Sequence, residues 1–418
     1  MAKNFGWLLF DRLFRISISV VVGAWIARHL GPANYGELAY ILALLGLFQT
    51  AATLGLDGPV IRLVSRDVSE AGLVFGTAIR LRVAASALGW LFATITVAVA
   101  RPGDTPGLLM VAIAGAALVF QPAEMVDVWL QSQNRSRLSI PYRLAAYTLI
   151  ATYKVGLILS EAPLWAFAAS AVIDAIFVAG ALSVAYRLWP TPSVWRWHSA
   201  LVRDLLTECW PLMISAVSIS VYMRIDQIML RELAGQVQLG LYSAVMPFSQ
   251  GWHMVPMLLY ASLLPRLSQL HAEYPERYRA RLQSVYTTLT WGGICAAAIT
   301  SICAPWLIAT LLGPRFHDAV PVLQWHAVTN IFVFMGIAQN LSIVAEEMPK
   351  LIMLKTFVGV VVSLVANYML IPQWGAVGSA WAAVISYGSS VVLSNIFLAP
   401  NALRMQMLAF VPGYEKRH

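Results

Sequence analysis

The residues with the most chemical capacity in this chain are charges set inside apolar runs. Arg224 and Asp226 stand two apart in the mostly apolar stretch 215–244. Arg12 and Arg15 lie in the first apolar run, with Asp11 four residues before Arg15, and Lys154 lies in the fifth. Glu124 and Asp127 follow Pro122, and Asp57 and Asp174 complete an acidic set. A charge at the centre of a membrane-spanning helix costs about 2.5–3.5 kcal/mol on insertion scales, so each calls for a task or a partner. Arginine forks hold anionic oxygens through paired, charge-assisted hydrogen bonds. The carboxylates can pair with these cations, or carry H+ or Na+ as a coupling ion.

Helical geometry sorts these residues. Arg12 and Arg15 share a face, as do Glu124 and Asp127. Arg224 and Asp226 are about 200° apart around a helix, so they cannot both face one point. Arg12, nearer the end of its run, can snorkel to headgroups. Arg15 lies deeper and fits a cavity. For Lys154, a cavity role and a buried acid partner both remain open. The acids are expected to pair with Arg15, Lys154 or Arg224. His253 and His326 read as core histidines. Neither a metal motif nor a cofactor loop nor a nucleophile elbow is present, so no metal site, cofactor or catalytic residue is expected.

The elements that must position these charges are membrane helices. Of the 418 residues 59% are hydrophobic and 11% charged, with mean hydropathy +0.70, where a soluble domain carries about 25% charged residues. The net charge of +8 resides in short segments between apolar runs, which favours a membrane over nucleic acid. The N-terminal run lacks a small-residue cleavage site and reads as a retained helix. Cys209, Cys295 and Cys303 form no pair motif and read as free, buried thiols. Runs long enough to span cover 6–29, 37–60, 72–100, 107–130, 141–160, 163–186, 208–231, 239–264, 282–312, 320–345, 350–371 and 375–398. Twelve spans put both termini on one side. Most of the 28 Lys and Arg then fall on that side, Arg80, Arg82, Arg143, Lys350 and Lys355 included. By the positive-inside rule it is the cytoplasm.

The two halves echo each other. Arg28-His29-Leu30-Gly31-Pro32 with Tyr35-Gly36 ends the first span, and Arg231-Glu232-Leu233-Ala234-Gly235 with Leu239-Gly240 ends the seventh. Ala166–Ser170 similarly echoes Ala376–Ala380. Offsets of half the chain predict an all-α integral membrane fold with two six-helix lobes related as parallel repeats. The lobes are 1–190 and 208–400, with a cytoplasmic amphipathic linker at 191–207 and a short cytoplasmic tail at 401–418. Residues 195–207 and 265–281 mix apolar and basic residues and suit the membrane interface. Trp7, Trp129, Trp189, Trp195 and Trp374 read as interfacial anchors.

Several motifs resemble Wzx-type polysaccharide (O-antigen) flippases of the MATE-like superfamily. They are Leu30-Gly31-Pro32-x-x-Tyr35-Gly36, Thr53-Leu54-Gly55-Leu56 with Ile61-Arg62, and Trp129-Leu130-Gln131-Ser132-Gln133-Asn134-Arg135. Tyr222-x-Arg224-x-Asp226 and Leu370-Ile371-Pro372-x-x-Gly375-Ala376-x-Gly378-x-Ala380 complete the set. The resemblance implies a MATE-like fold around a central cavity, and a substrate: an undecaprenyl-pyrophosphate-linked oligosaccharide moved from the cytoplasmic to the periplasmic leaflet of the bacterial inner membrane. It places the protein in O-antigen, exopolysaccharide or capsule biosynthesis, with membrane lipids and polysaccharide polymerase machinery as partners. On that reading Arg15, Arg224, Lys154 and Arg12 attract the diphosphate, while Asp226, Glu124, Asp127, Asp57 and Asp174 hold them or couple an ion. The alternatives are a cation-coupled drug exporter, whose cavity should be led by carboxylates, and a lipid II-type flippase, which typically carries two further helices. A membrane glycosyltransferase needs paired acids on a large outer loop; the loops here are tiny, so no enzyme is expected.

Overall fold

The computed structural model describes residues 2–410, and side chains from Ile18 onward except at positions 136 and 349. The side chains of Asp11, Arg12 and Arg15 therefore lie outside the described residues. In order the helices are α1 (Ala2–Ala52), α2 (Asp57–Arg66), α3 (Ala71–Ala100), α4 (Thr105–Gly115), α5 (Met125–Ser132), α6 (Ile140–Leu159), α7 (Leu164–Leu188), α8 (Ser199–Gln250), α9 (Met254–Glu273), α10 (Pro275–Leu307), α11 (Ala319–Ala327), α12 (Thr329–Ala345), α13 (Pro349–Gly388), α14 (Asn395–Leu398) and α15 (Pro400–Leu408). No strand occurs among the described residues.

The helices are turned inside out relative to a soluble protein. The buried face of α3 runs Arg82, Ser86, Gly89, Ala93, Val97, while Val83, Leu88, Leu91, Phe92, Ile95 and Val99 are exposed. Small and polar residues let backbones approach and hydrogen-bond between helices, and the large apolar side chains face lipid. Among the described residues, eight helical runs are long and apolar enough to cross a bilayer. Three are far too long for one crossing. The 52 residues of α8 would extend about 78 Å against a hydrocarbon core of about 30 Å. Single non-helical glycines divide them: Gly31 in α1, Gly235 in α8 and Gly375 in α13.

The internal repeat is written in the backbone. Positive φ recurs in pairs half a chain apart: Gly31 (74°) with Gly235 (88°), Gly103 (94°) with Gly313 (84°), Asn134 (54°) with Glu347 (55°), and Glu161 (52°) with Gly375 (54°). The ends of spans one, three, four and five thus turn as their counterparts do. The echo seen in sequence at 28–36 and 231–240 also makes a reciprocal contact. A methyl on Gly36 would stand 1.8 Å from the Gln236 carbonyl oxygen, and one on Gly240 1.8 Å from the Pro32 carbonyl oxygen. Real Cβ atoms do not approach so closely, so glycine at both positions is a steric necessity.

The chain divides into two compact units. Unit 1 comprises the residues through Leu30 and Glu37–Arg224; unit 2 comprises Gly31–Gly36 and everything from Ile225. Unit 1 packs Leu56, Phe75, Met125, Trp129, Leu182 and Leu205 together. Unit 2 gathers Leu267, Tyr278, Leu282, Tyr286, Phe334 and Leu341. The division falls within α8, between Arg224 and Ile225.

Several expectations need correction. Residues 191–207 are no separate amphipathic element. Their first part is extended along α3, where Arg196 N–H donates to the Gly72 carbonyl (3.1 Å) and the Ser193 hydroxyl accepts from Gly72 N–H (2.9 Å). The remainder is the first turns of α8. Gly72 and Gly76 cause this, because their missing side chains let the passing backbone lie against the helix. Trp129 and Trp195 are core rather than interface residues: both pack on Phe75, and Trp129 donates its indole N–H to the Trp189 carbonyl at 2.9 Å. The 265–281 linker is helical apart from a break at Tyr274, where Pro275 restarts the helix. The second span ends at Ala52, because Leu54 and Gly55 turn the chain before α2. Of the free cysteines only Cys209 is buried.

Candidate functional site

Unit 1 carries a set of ion pairs reaching across its helices. Arg82 of α3 is buried and donates from Nη2 to Asp57 Oδ1 at 2.8 Å and from Nε to the Thr53 carbonyl at 3.3 Å. Asp57 opens α2 directly after the Leu54–Gly55 turn, so the turn places the carboxylate over α3. Arg143 of α6 donates to Asp127 Oδ2 at 2.5 Å and to the Tyr147 hydroxyl at 3.0 Å. Lys154, further along α6, meets Asp174 of α7 at 2.5 Å. Thus Asp57 and Asp127 are held by Arg82 and Arg143, which the charge tally had assigned to the cytoplasmic side. Of the cations named for them from sequence, Lys154 and Arg224 do not make these bonds, and the side chain of Arg15 lies outside the described residues. Lys154 and Asp174 were both named, and the structure brings them together.

Glu124 occupies a different position. It is accessible, and Arg82, Arg143, Asp127 and Asp57 surround it within Coulombic reach. It forms no ion pair among the described residues. Its backbone explains its placement. Pro122 does not simply kink the fourth span; residues Ala116–Glu124 form nine residues of 3-10 helix between α4 and α5. Runs of that length are uncommon, and mid-helix 3-10 segments mark strain or hinges. The tighter winding displaces Glu124 and Asp127 from the register an uninterrupted α-helix would give them, so the acids meet α3 and α6 where those helices carry arginine.

Arg224 and Asp226 have different neighbours, as their angular separation requires. The Arg224 guanidinium lies on Gly46 of α1: a methyl there would stand 2.5 Å from Cζ and 2.8 Å from Nη1. One turn along, the Thr50 hydroxyl donates to the Ser220 hydroxyl at 3.1 Å. Gly46 and Thr50, four apart, therefore receive Arg224 and Ser220, also four apart. Asp226 instead accepts from the buried Tyr242 hydroxyl at 2.5 Å. Tyr242 stacks edge-on against His326, with centroids 5.9 Å apart. His326 is a core histidine, with Nδ1 2.9 Å from the Ser249 hydroxyl. Ser379 and Asn367, joined at 3.1 Å, extend the buried polar chain through α13.

Sequence reasoning missed three groups. Arg82 and Arg143 were counted with the charges of the cytoplasmic segments and adjoining helix ends, although the Arg82-Ser86-Gly89-Ala93 spacing marks a small, polar face. Glu37 was not considered; it is buried and pairs with Arg101 at 3.1 Å, whose guanidinium lies 4.0 Å from the Tyr40 ring centre. Lys355, also counted on the cytoplasmic side, is buried among neutral groups of unit 2.

No grouping of His, Cys, Asp and Glu among the described residues could hold a metal ion. What the arrangement offers is an interior of paired charges and polar groups behind an exterior of large apolar side chains.

Solved structures share this fold. An inward-facing multidrug resistance MATE family transporter of the MOP superfamily superposes with a TM-score of 0.74 at 12% identity, covering 94% of this chain and 96% of that one. The lipid II flippase MurJ in an inward closed conformation gives 0.73 at 12% identity, covering 96% and 90%. A MATE transporter from Vibrio cholerae gives 0.57 at 12% identity, covering 97% and 96%. Comparison with curated protein sequences gives no match. The fold is therefore MATE-like and the protein a multi-pass membrane protein. The profile of one family matches residues 1–271, well over half of the chain, so it belongs to the polysaccharide biosynthesis protein family.

Proposed function

We propose that this protein is a flippase that moves an undecaprenyl-pyrophosphate-linked oligosaccharide from the cytoplasmic to the periplasmic leaflet by alternating access, with both termini cytoplasmic in the bacterial inner membrane. The observation that carries the reading is the polysaccharide biosynthesis profile over 1–271, on a fold shared with a lipid II flippase. The residues fit the cargo. A lipid-linked sugar brings a diphosphate, a polar glycan and an apolar tail. The guanidinium of Arg224, seated on Gly46, is the cation we assign to the diphosphate, with Arg15 and Arg12. Lys154 is engaged by Asp174 and takes a supporting place. Glu124, accessible amid four charged side chains, and Asp226 are our candidates for H+ or Na+ coupling.

A drug exporter's cavity should be led by unneutralised carboxylates. In unit 1, Asp57, Asp127 and Asp174 each carry a basic partner, which favours an anionic cargo. The test is a deletion strain complemented with variants. Wild type should restore surface polysaccharide, and Arg224→Ala should insert normally yet leave lipid-linked oligosaccharide accumulated and the surface bare. Normal display by Arg224→Ala removes this residue from the site. An unchanged surface in the deletion strain, with altered drug tolerance, overturns the flippase reading.

A further inference from the structure

Lys355 is buried, and no carboxylate among the described residues lies within ion-pair distance of it. Its surroundings are oxygens. Nζ donates to Gln339 Oε1, to Asn395 Oδ1 at 2.7 Å and to the Val391 carbonyl at 3.4 Å. These come from three segments: Gln339 from α12, Asn395 from α14, and Val391 from a single π-helical turn, Ser389–Leu393, that closes through Ser394 N–H to the Ser389 carbonyl at 2.8 Å. Such widened turns frequently mark functional sites. Gln406 of α15 completes the cluster, accepting from Asn395 Nδ2 at 3.0 Å and donating to the Val391 carbonyl at 3.1 Å.

The geometry suits an ammonium. An ammonium has three N–H donors and no acceptor, and three oxygens meet it. A neutral amine would turn a lone pair toward one of those oxygens. Most of the neighbouring amide hydrogens are engaged elsewhere. Gln339 Nε2 donates to Asn395 Oδ1 at 2.8 Å, and Asn395 Nδ2 serves Gln339 Oε1 (3.3 Å), the Val391 carbonyl (2.7 Å) and Gln406 Oε1. Each amide oxygen near Nζ is thus oriented by an amide hydrogen bond that leaves it free to point at positive charge. Carbonyl and amide oxygens converging on one point are how proteins replace the hydration shell of a monovalent cation.

We propose that unit 2 contains a monovalent-cation site whose resident ligand is the chain's own Lys355 ammonium, tethered in place of a soluble ion. Its work is to gather the oxygen dipoles of α12, the π turn and α14, and through Gln406 to dock α15. The proposal is independent of the cargo. It requires that removing the tether leave a site that takes a small cation of the same chemistry.

The test uses the full chain purified in detergent, with thermal unfolding followed in methylammonium chloride or choline chloride at constant ionic strength. Lys355→Ala should unfold at lower temperature than wild type. Methylammonium, but not the bulkier choline, should restore much of that shift with a saturable dose response, while wild type responds to neither. Lys355→Met fills the space without charge and should stay low in both salts. Gln339→Leu, which keeps the lysine and removes one oxygen, should also unfold earlier. If Lys355→Ala responds to methylammonium no more than wild type does, the proposal falls. If Lys355→Ala cannot be recovered folded, the other two variants decide. Either of them matching wild type overturns the site, and both falling below it upholds the site.

Discussion

Units 1 and 2 handle buried charge in opposite ways. Unit 1 sets charge against charge: Arg82 with Asp57, Arg143 with Asp127, Lys154 with Asp174, Arg101 with Glu37. Unit 2 sets Lys355 against dipoles, the amide and carbonyl oxygens around it, and among its contacts Asp226 accepts from the Tyr242 hydroxyl. The difference teaches what each unit tolerates. An ion pair can be removed as a pair, because deleting both partners strands neither. A charge held by dipoles has no single partner whose removal compensates, since several neutral groups share the work. Unit 1 is therefore a body in which Asp57, Asp127, Asp174 and Glu37 each meet a basic side chain. Unit 2 holds its charges as fixed parts of the packing.

The comparison is most exposed at Arg101 and Glu37, the least accessible pair, with 11% and 9% of each side chain exposed. Arg101→Ala takes a cation from both Glu37 and Asp104 and should destabilise by about 3–5 kcal/mol, as breaking a buried pair does. Adding Glu37→Gln should recover most of that loss. Denaturant titration of the single and double variants checks this, and equal losses in both would refute charge-for-charge balance in unit 1. In unit 2, Tyr242→Phe removes a hydrogen bond to a carboxylate and should cost about 1.5–3 kcal/mol. Asp226→Asn in that background should recover little, because the amide still needs partners. A full recovery there would make the two units alike. The smallest effect belongs to Arg62 and Glu208, an exposed pair at 56% and 36%. Arg62→Ala should cost less than about 1 kcal/mol and nothing measurable in high salt. A larger, salt-resistant loss would mean that the exposed pairs belong with the interior ones.

Much of the fold was legible in the chain because membrane helices announce themselves by length and apolarity. The predicted spans fall largely on helical backbone, the second being cut at the Leu54–Gly55 turn, and the half-chain echo reappears as paired positive-φ turns. The separation of Arg224 from Asp226 was legible too, since it needs only 100° per residue. The partner choices were not. Asp57 and Asp127 could be named as intramembrane acids, but Arg82 and Arg143 sit near predicted helix ends, where snorkelling to headgroups and turning inward look identical in sequence. Glu124 depended on a 3-10 segment, and Pro122 signals an interruption without saying which kind. Lys355 was hidden for the same reason as Arg82, and its cage draws on residues from 339 to 406 that no local pattern connects.

By itself, then, the sequence determined a polytopic helical membrane protein, its internal repeat, the glycine breaks that fold its longest helices, and the set of charges that must find partners. These follow from local rules: hydrophobic length, backbone sterics at glycine, and the energy of charge in hydrocarbon. Tertiary structure alone decided which charge meets which, that unit 1 neutralises its acids with arginine and lysine, and that unit 2 encloses an ammonium among neutral oxygens. Those outcomes rest on distances between helices far apart in the chain. A hydrogen bond needs donor and acceptor about 3 Å apart and an ion pair strengthens as it closes, so packing, and not composition, assigns the partners.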